Sequence, residues 1–124
     1  MKNVLDILLQ SEIPAPQTQQ LKVKRLSKLA GEDVVVTIRE LGYSRVAQIR
    51  KLHEDDPEME VHTLLAGVVE PDLKSKELLA KYSAATPAEL VKKLFLPGEI
   101  ADLSRAVERL SGYLTMTLEE VKKK

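Results

Sequence analysis

A mainly α fold with a small N-terminal β-hairpin, an α+β class with a compact helical body, is predicted by three features of the 124-residue sequence. Apolar and polar residues alternate in two short runs before residue 40. From Tyr43 onward the apolar period becomes helical. Between the helical runs stand caps and breakers, among them Asp55-Asp-Pro57, Thr86-Pro-Ala-Glu89 and Leu96-Pro-Gly-Glu99.

Val4, Leu5, Leu8 and Leu9 fall on one face of a short helix, with Asn3, Asp6 and Gln10 opposite. Pro14 and Pro16 favour extended backbone and cannot continue that helix. The chain divides accordingly into an amphipathic arm with a Pro-containing linker over residues 1–20 and one mostly helical domain over 21–124. So short a helix does not hold in water by itself. The arm needs a surface, either its own body or a partner's.

Leu21-Lys-Val-Lys-Arg25 alternates, and Val34, Val36 and Ile38 alternate with Val35, Thr37 and Arg39. Gly31-Glu-Asp33 signals a turn between them. A hairpin over about residues 21–39 is the simplest arrangement, with residues 27–33 connecting the strands. Residues 26–30 could form a helical turn instead.

Tyr43, Val46, Ile49 and Leu52 or His53 make a helical stripe. Asp56 and Pro57 then suit the cap and first position of a second helix. Residues 58–69 are apolar on so many sides that this helix is expected at the centre. Glu70-Pro-Asp72 ends it, and residues 75–81 form a short helix with Leu78 and Leu79 inward. Thr86 caps the next, with Pro87 at its first position and Glu89 completing a capping box. Gly98 reads as part of a tight break that needs glycine's freedom, or else as a residue of the next helix's first turn. Ile100, Leu103, Val107 and Leu110 form the last seam, stopped by Gly112. Thr117-Leu-Glu-Glu120 offers a further capping box before the lysine tail.

Composition narrows the function classes. Nineteen basic and nineteen acidic residues cancel, so no global field attracts nucleic acid or an anionic membrane. Aromatics at 3% are too few to stack a row of bases. The longest apolar run, residues 64–69, is far short of a membrane span, and no secretory signal pattern is expected at the N-terminus. The absence of cysteine removes disulfides, thiolate metal ligands and a thiol nucleophile, and fits a reducing compartment. The charge is unevenly spread: residues 21–54 carry eight cations and four acids, while residues 55–72 carry six acids and no cation. Solvated faces account for this. Opposite blocks also permit head-to-tail self-association without requiring it.

Chemistry-bearing motifs are missing. His53 and His62 lack the spacing of a zinc helix and read as solvated or half-buried histidines. The carboxylate pairs sit where capping explains them. There is no glycine-rich phosphate loop and no nucleophile elbow. No catalytic residue, metal ligand or cofactor is therefore expected, and no enzyme. The basic segment 22–51 is the nucleic-acid candidate, but one aromatic, Tyr43, and three acids lie among its eight cations. Recognition of apolar, helical protein is the more natural use of the surface, with Val4, Leu5, Leu8 and Leu9 as candidate partner-binding residues.

Several segments in order resemble one family. These are Lys24-Arg-Leu-Ser-Lys-Leu-Ala-Gly-Glu-Asp33 leading into Val34-Val-Val-Thr-Ile-Arg-Glu-Leu41, then Leu64-Leu-Ala-Gly-Val-Val-Glu-Pro-Asp-Leu73, Ala85-Thr-Pro-Ala-Glu-Leu-Val-Lys-Lys-Leu94, Leu96-Pro-Gly-Glu-Ile100 and Leu110-Ser-Gly-Tyr113. They are similar to the tail assembly chaperones of contractile-tailed phages and of PBSX-like defective prophage elements. The resemblance spans about residues 20–122. It implies a small, mostly helical protein of the host cytoplasm that binds the tape measure protein, keeps it soluble, helps recruit the tail tube protein and is absent from the mature virion. It also implies that some relatives have a longer, frameshifted form. The ending Val121-Lys-Lys-Lys124 is compatible with a shift and equally with basic residues at a helix C-terminus. The alternatives are a small nucleic-acid-binding or regulatory protein using the basic 22–51 segment, or a virion tail structural subunit.

Overall fold

The computed structural model describes residues 3–122. Among them are seven helices and a three-stranded antiparallel sheet, in the order α1 (Val4–Gln10), β1 (Thr18–Lys22), α2 (Lys24–Ala30), β2 (Val35–Arg39), α3 (Tyr43–His53), α4 (Met59–Gly67), β3 (Val68–Glu70), α5 (Lys76–Lys81), α6 (Pro87–Leu94) and α7 (Pro97–Leu110). The fold is α+β, with helices dominant and the first strand pair near the N-terminus.

β1 and β2 pair antiparallel, Thr18 opposite Arg39 and Lys22 opposite Val35. The strand begins at Thr18, inside the stretch expected as linker, and ends before Lys24. The connection is the helical alternative, α2, closed by Gly31 at φ 76, a left-handed position that suits glycine. Buried Ser27 fastens it, its hydroxyl accepting a hydrogen bond from the Val34 N–H at 2.8 Å. In β2 the expected alternation holds: Val36 and Ile38 are buried while Val35 and Arg39 face water.

β3 corrects the sequence reading, which ran the central helix through Val69. The helix stops at Gly67, and Val68–Glu70 pairs antiparallel with β2, with an irregularity beside Thr37 and Ile38. Its two valines are β-branched, and β2 offers the backbone partners that a longer helix would leave unused. The sheet order is β1-β2-β3.

α4 is central as expected, packing against α3, α6 and α7. The most deeply buried side chains come from β2, α4, α6 and α7: Val36, Ile38, Leu64, Leu90, Val91 and Val107. Thr86 caps α6, its hydroxyl accepting from the Glu89 N–H, while the Glu89 carboxylate reaches back to the Ala85 N–H.

Three other expectations are corrected. On α3, Ile49 is buried and Val46 partly so, and of the two alternatives at the end of the stripe His53 is half-buried while Leu52 faces water; Tyr43, at the start of the helix, is exposed. Gly98 lies in the first turn of α7 with ordinary backbone and open space beside it. Thr117 caps no helix: residues 113–122 form neither helix nor strand. Lys123 and Lys124, the end of the lysine tail, lie outside the described residues.

Candidate functional site

The arm folds as the periodicity predicts. Asn3 caps α1, its Oδ1 accepting from the Asp6 N–H at 2.8 Å, and the Ser11 N–H closes the last turn on the Leu8 carbonyl. None of its residues is buried. Val4 is 71% exposed and Leu9 74%, and Leu5, Ile7 and Leu8 are exposed with them. Residues 11–17 are exposed and irregular. The arm joins the body where Gln17 pairs with Glu40, through Gln17 N–H to Glu40 Oε1 at 2.7 Å and Glu40 N–H to Gln17 O at 2.9 Å. The four candidate residues Val4, Leu5, Leu8 and Leu9 are thus brought together on one face and set in water.

A second apolar group escaped the sequence reading. Leu114, Met116, Leu118 and Val121 are exposed along the C-terminal segment. The signal was present: 114, 116 and 118 alternate with Thr115, Thr117 and Glu119. Reading Thr117 as a helix cap hid it.

The basic segment is interrupted by acids in space as in sequence. Lys22 Nζ lies 3.0 Å from Asp33, with both side chains largely in water. Arg25 is held by two bonds to the Glu99 carboxylate, at 2.8 and 3.1 Å, and donates to the Leu94 carbonyl at 2.9 Å. The hydrogen bond from Arg25 holds the Glu99 carboxyl below the usual carboxylate range, against the opposing effect of burial. Glu99 also accepts from the Leu96 N–H, tying α2 to the start of α7. The arrangement is a structural clamp between helices.

His53 and His62 are brought face to face by the α3–α4 turn, ring centroids 3.7 Å apart and planes within 7°. His53 Nδ1 lies 3.2 Å from Asp56, and His62 Nε2 4.0 Å from Glu58, which also meets Lys92. Burial pushes His62 below its ordinary pKa, with the neighbouring His53 acting in the same direction. The Glu58 N–H, followed by His53, holds Asp56 below its ordinary pKa. Among the described residues no three His, Cys, Asp or Glu side chains form a group that could hold a metal ion. No helix among them is long and apolar enough to cross a membrane.

Comparison with known proteins gives two findings. Residues 5–123 match the family of phage XkdN-like tail assembly chaperone proteins. The match takes in the arm from residue 5, which the resemblance noted above does not. The crystal structure of the protein yqbn, a Northeast Structural Genomics Consortium target, has the same fold: the TM-score is 0.65, with 91% of this chain and 98% of that chain covered at 19% identity. No curated protein matches the chain.

Proposed function

The chain belongs to the family of phage XkdN-like tail assembly chaperone proteins, and on that premise we propose that it binds the tape measure protein, keeps it soluble and helps recruit tail tube subunits. The work is non-enzymatic, is done in the host cytoplasm by a self-associating protein, and ends before the virion is complete.

The observation that carries this reading is the arm. α1 presents Val4, Leu5, Leu8 and Leu9 on one face, and its own body covers none of them. A chaperone for a long, apolar-striped helix needs such a surface: apolar, non-directional and reversible. Repeated over several copies, weak contacts of this kind hold a client by avidity and still release it. The basic 22–51 segment supports a nucleic-acid reading less well, because Lys22 and Arg25 each face an acid.

Salt separates the two. Contacts through lysine and arginine weaken steeply as salt rises, whereas apolar contacts hold or strengthen. A co-expressed tape measure fragment should stay in solution with the protein at high salt, and DNA should show no mobility shift at physiological salt. Salt-sensitive DNA binding with the tape measure fragment left insoluble would reverse the conclusion.

A further inference from the structure

β1 is an open edge of the sheet. Gln17 O accepts from Glu40 N–H and Val23 N–H donates to Val34 O, while Gln19 and Leu21 stand opposite Ile38 and Val36. Antiparallel alternation then turns the backbone groups of the odd-numbered residues toward β2 and leaves those of Thr18, Gln20 and Lys22 pointing outward. The other edge, β3, is three residues long and runs into Pro71. Between β1 and α7 lies a groove of about 470 Å³, in which the apolar Leu21, Val23, Leu103 and Ala106 stand among charged side chains, Glu99 and Asp102 included.

Residues 115–119 have the complementary pattern. Thr115, Thr117 and Glu119 alternate with Met116 and Leu118, which are 89% and 83% exposed. Five alternating residues with their apolar side chains in water describe a strand without a sheet. Its length equals that of β1.

We infer that residues 115–119 of one copy add as a parallel strand to the β1 edge of a second copy, with Thr115 beside Thr18, Thr117 beside Gln20 and Glu119 beside Lys22. Main-chain bonds to the outward groups supply affinity, and alternate side chains supply register. In this register Met116 and Leu118 share the face of Leu21, beside the apolar residues of the groove. The polar sets align on the other face, and Glu119 meets Lys22. The antiparallel arrangement centred on the same strand would put Glu119 at Thr18 and lose that pair. Lys22 exchanges its exposed contact with Asp33 at little cost.

The occupant is a second copy because the root of this segment is fixed on another side of α7. Ser111 Oγ accepts from the Leu41 N–H, the Tyr113 N–H donates to the Glu108 carbonyl, and the Arg50 guanidinium lies 5.3 Å from the Tyr113 ring centre. On a helix, positions 108 and 111 stand roughly 140° round from positions 103 and 106. A chain docking its own segment must release this root, whereas a neighbour's segment arrives freely.

The chain has no cysteine, so engineered ones report the contact directly. A Lys22→Cys preparation is mixed with a Glu119→Cys preparation under mild oxidation. A covalent dimer containing one of each is expected, and none with Glu120→Cys, which lies on the opposite face. In sedimentation velocity the full chain should self-associate, and Met116→Asp with Leu118→Asp should reduce it to monomer with a thermal melt equal to that of the wild type at dilutions where it too is monomeric. A wild-type monomer at all concentrations would overturn the inference. So would equal crosslinking through position 120, or a disulfide that forms only within one chain carrying both Lys22→Cys and Glu119→Cys. Client solubilisation is a separate readout, so failure here leaves the tape measure reading standing.

Discussion

Gly67 shows how much one side chain decides at the α4–α7 interface. A Cβ built there would lie 2.4 Å from Cγ2 of Val107, itself fully buried. Neither helix can yield without disturbing the core, so Gly67→Ala should lower stability by about 1–3 kcal/mol, measured by denaturant midpoint. Gly98→Val, in open space on the first turn of α7, should change it by no more than about 0.5 kcal/mol. Of these two glycines the sequence singles out Gly98 alone. Gly98 stands in a breaker motif, and nothing near Gly67 in sequence reveals that Val107 will press on it. His62 carries a pH prediction. Its folded pKa lies below the ordinary 6.5, so the unfolded chain binds the proton more readily. Stability is therefore full above that value and falls as pH drops below it toward the folded pKa. The depressed carboxyls Asp56, Glu89 and Glu99 act in a separate, more acidic window, below their ordinary 3.8 and 4.5. Chemical denaturation between pH 7 and 5 should show the loss, and His62→Gln should flatten it.

At the scale of elements, α1 is the sharpest test of what an uncovered helix is for. Each buried leucine contributes about 1.5–3 kcal/mol, so an arm packed on its own body would reveal itself in the melt. With all four stripe residues exposed, Leu5→Asp with Leu8→Asp should leave the melting temperature in place. It should reduce the amount of tape measure fragment held in solution. A lower melting temperature with unchanged solubilisation would remove α1 from the docking surface. The cap of α6 was the most legible: Thr86 accepts from the Glu89 N–H as its spacing promises, although the Glu89 carboxylate reaches the Ala85 N–H and not that of Thr86. Asp56 and Pro57, by contrast, lie short of α4, which begins at Met59. α2 was harder, since residues 24–25 continue the alternation of β1 yet begin the helix. β3 was not legible, because its pairing depends on β2, some thirty residues earlier. Tyr43 failed for a related reason: a stripe gives the direction of the core but not how far the covering helix extends.

For the whole molecule, fold class and family were within reach of the sequence, and the placement of apolar surface only partly so. The arm's stripe could be named from its period, whereas residues 115–119 needed the structure to show that no helix claims them. One consequence of the arm's attachment belongs to proteolysis. Between Lys2 and Lys22 the sequence has no lysine or arginine, so trypsin finds no site in the linker. Glu12 is exposed there, in backbone with no regular structure. With Glu119→Gln and Glu120→Gln removing the equally exposed glutamates of the irregular C-terminal segment, a glutamate-specific protease should cut first after Glu12 and shed the arm as one fragment, with the remaining body still showing a cooperative melt. The arm can then be withdrawn from a finished complex at a chosen moment, and any client that precipitates on its release was being held by it.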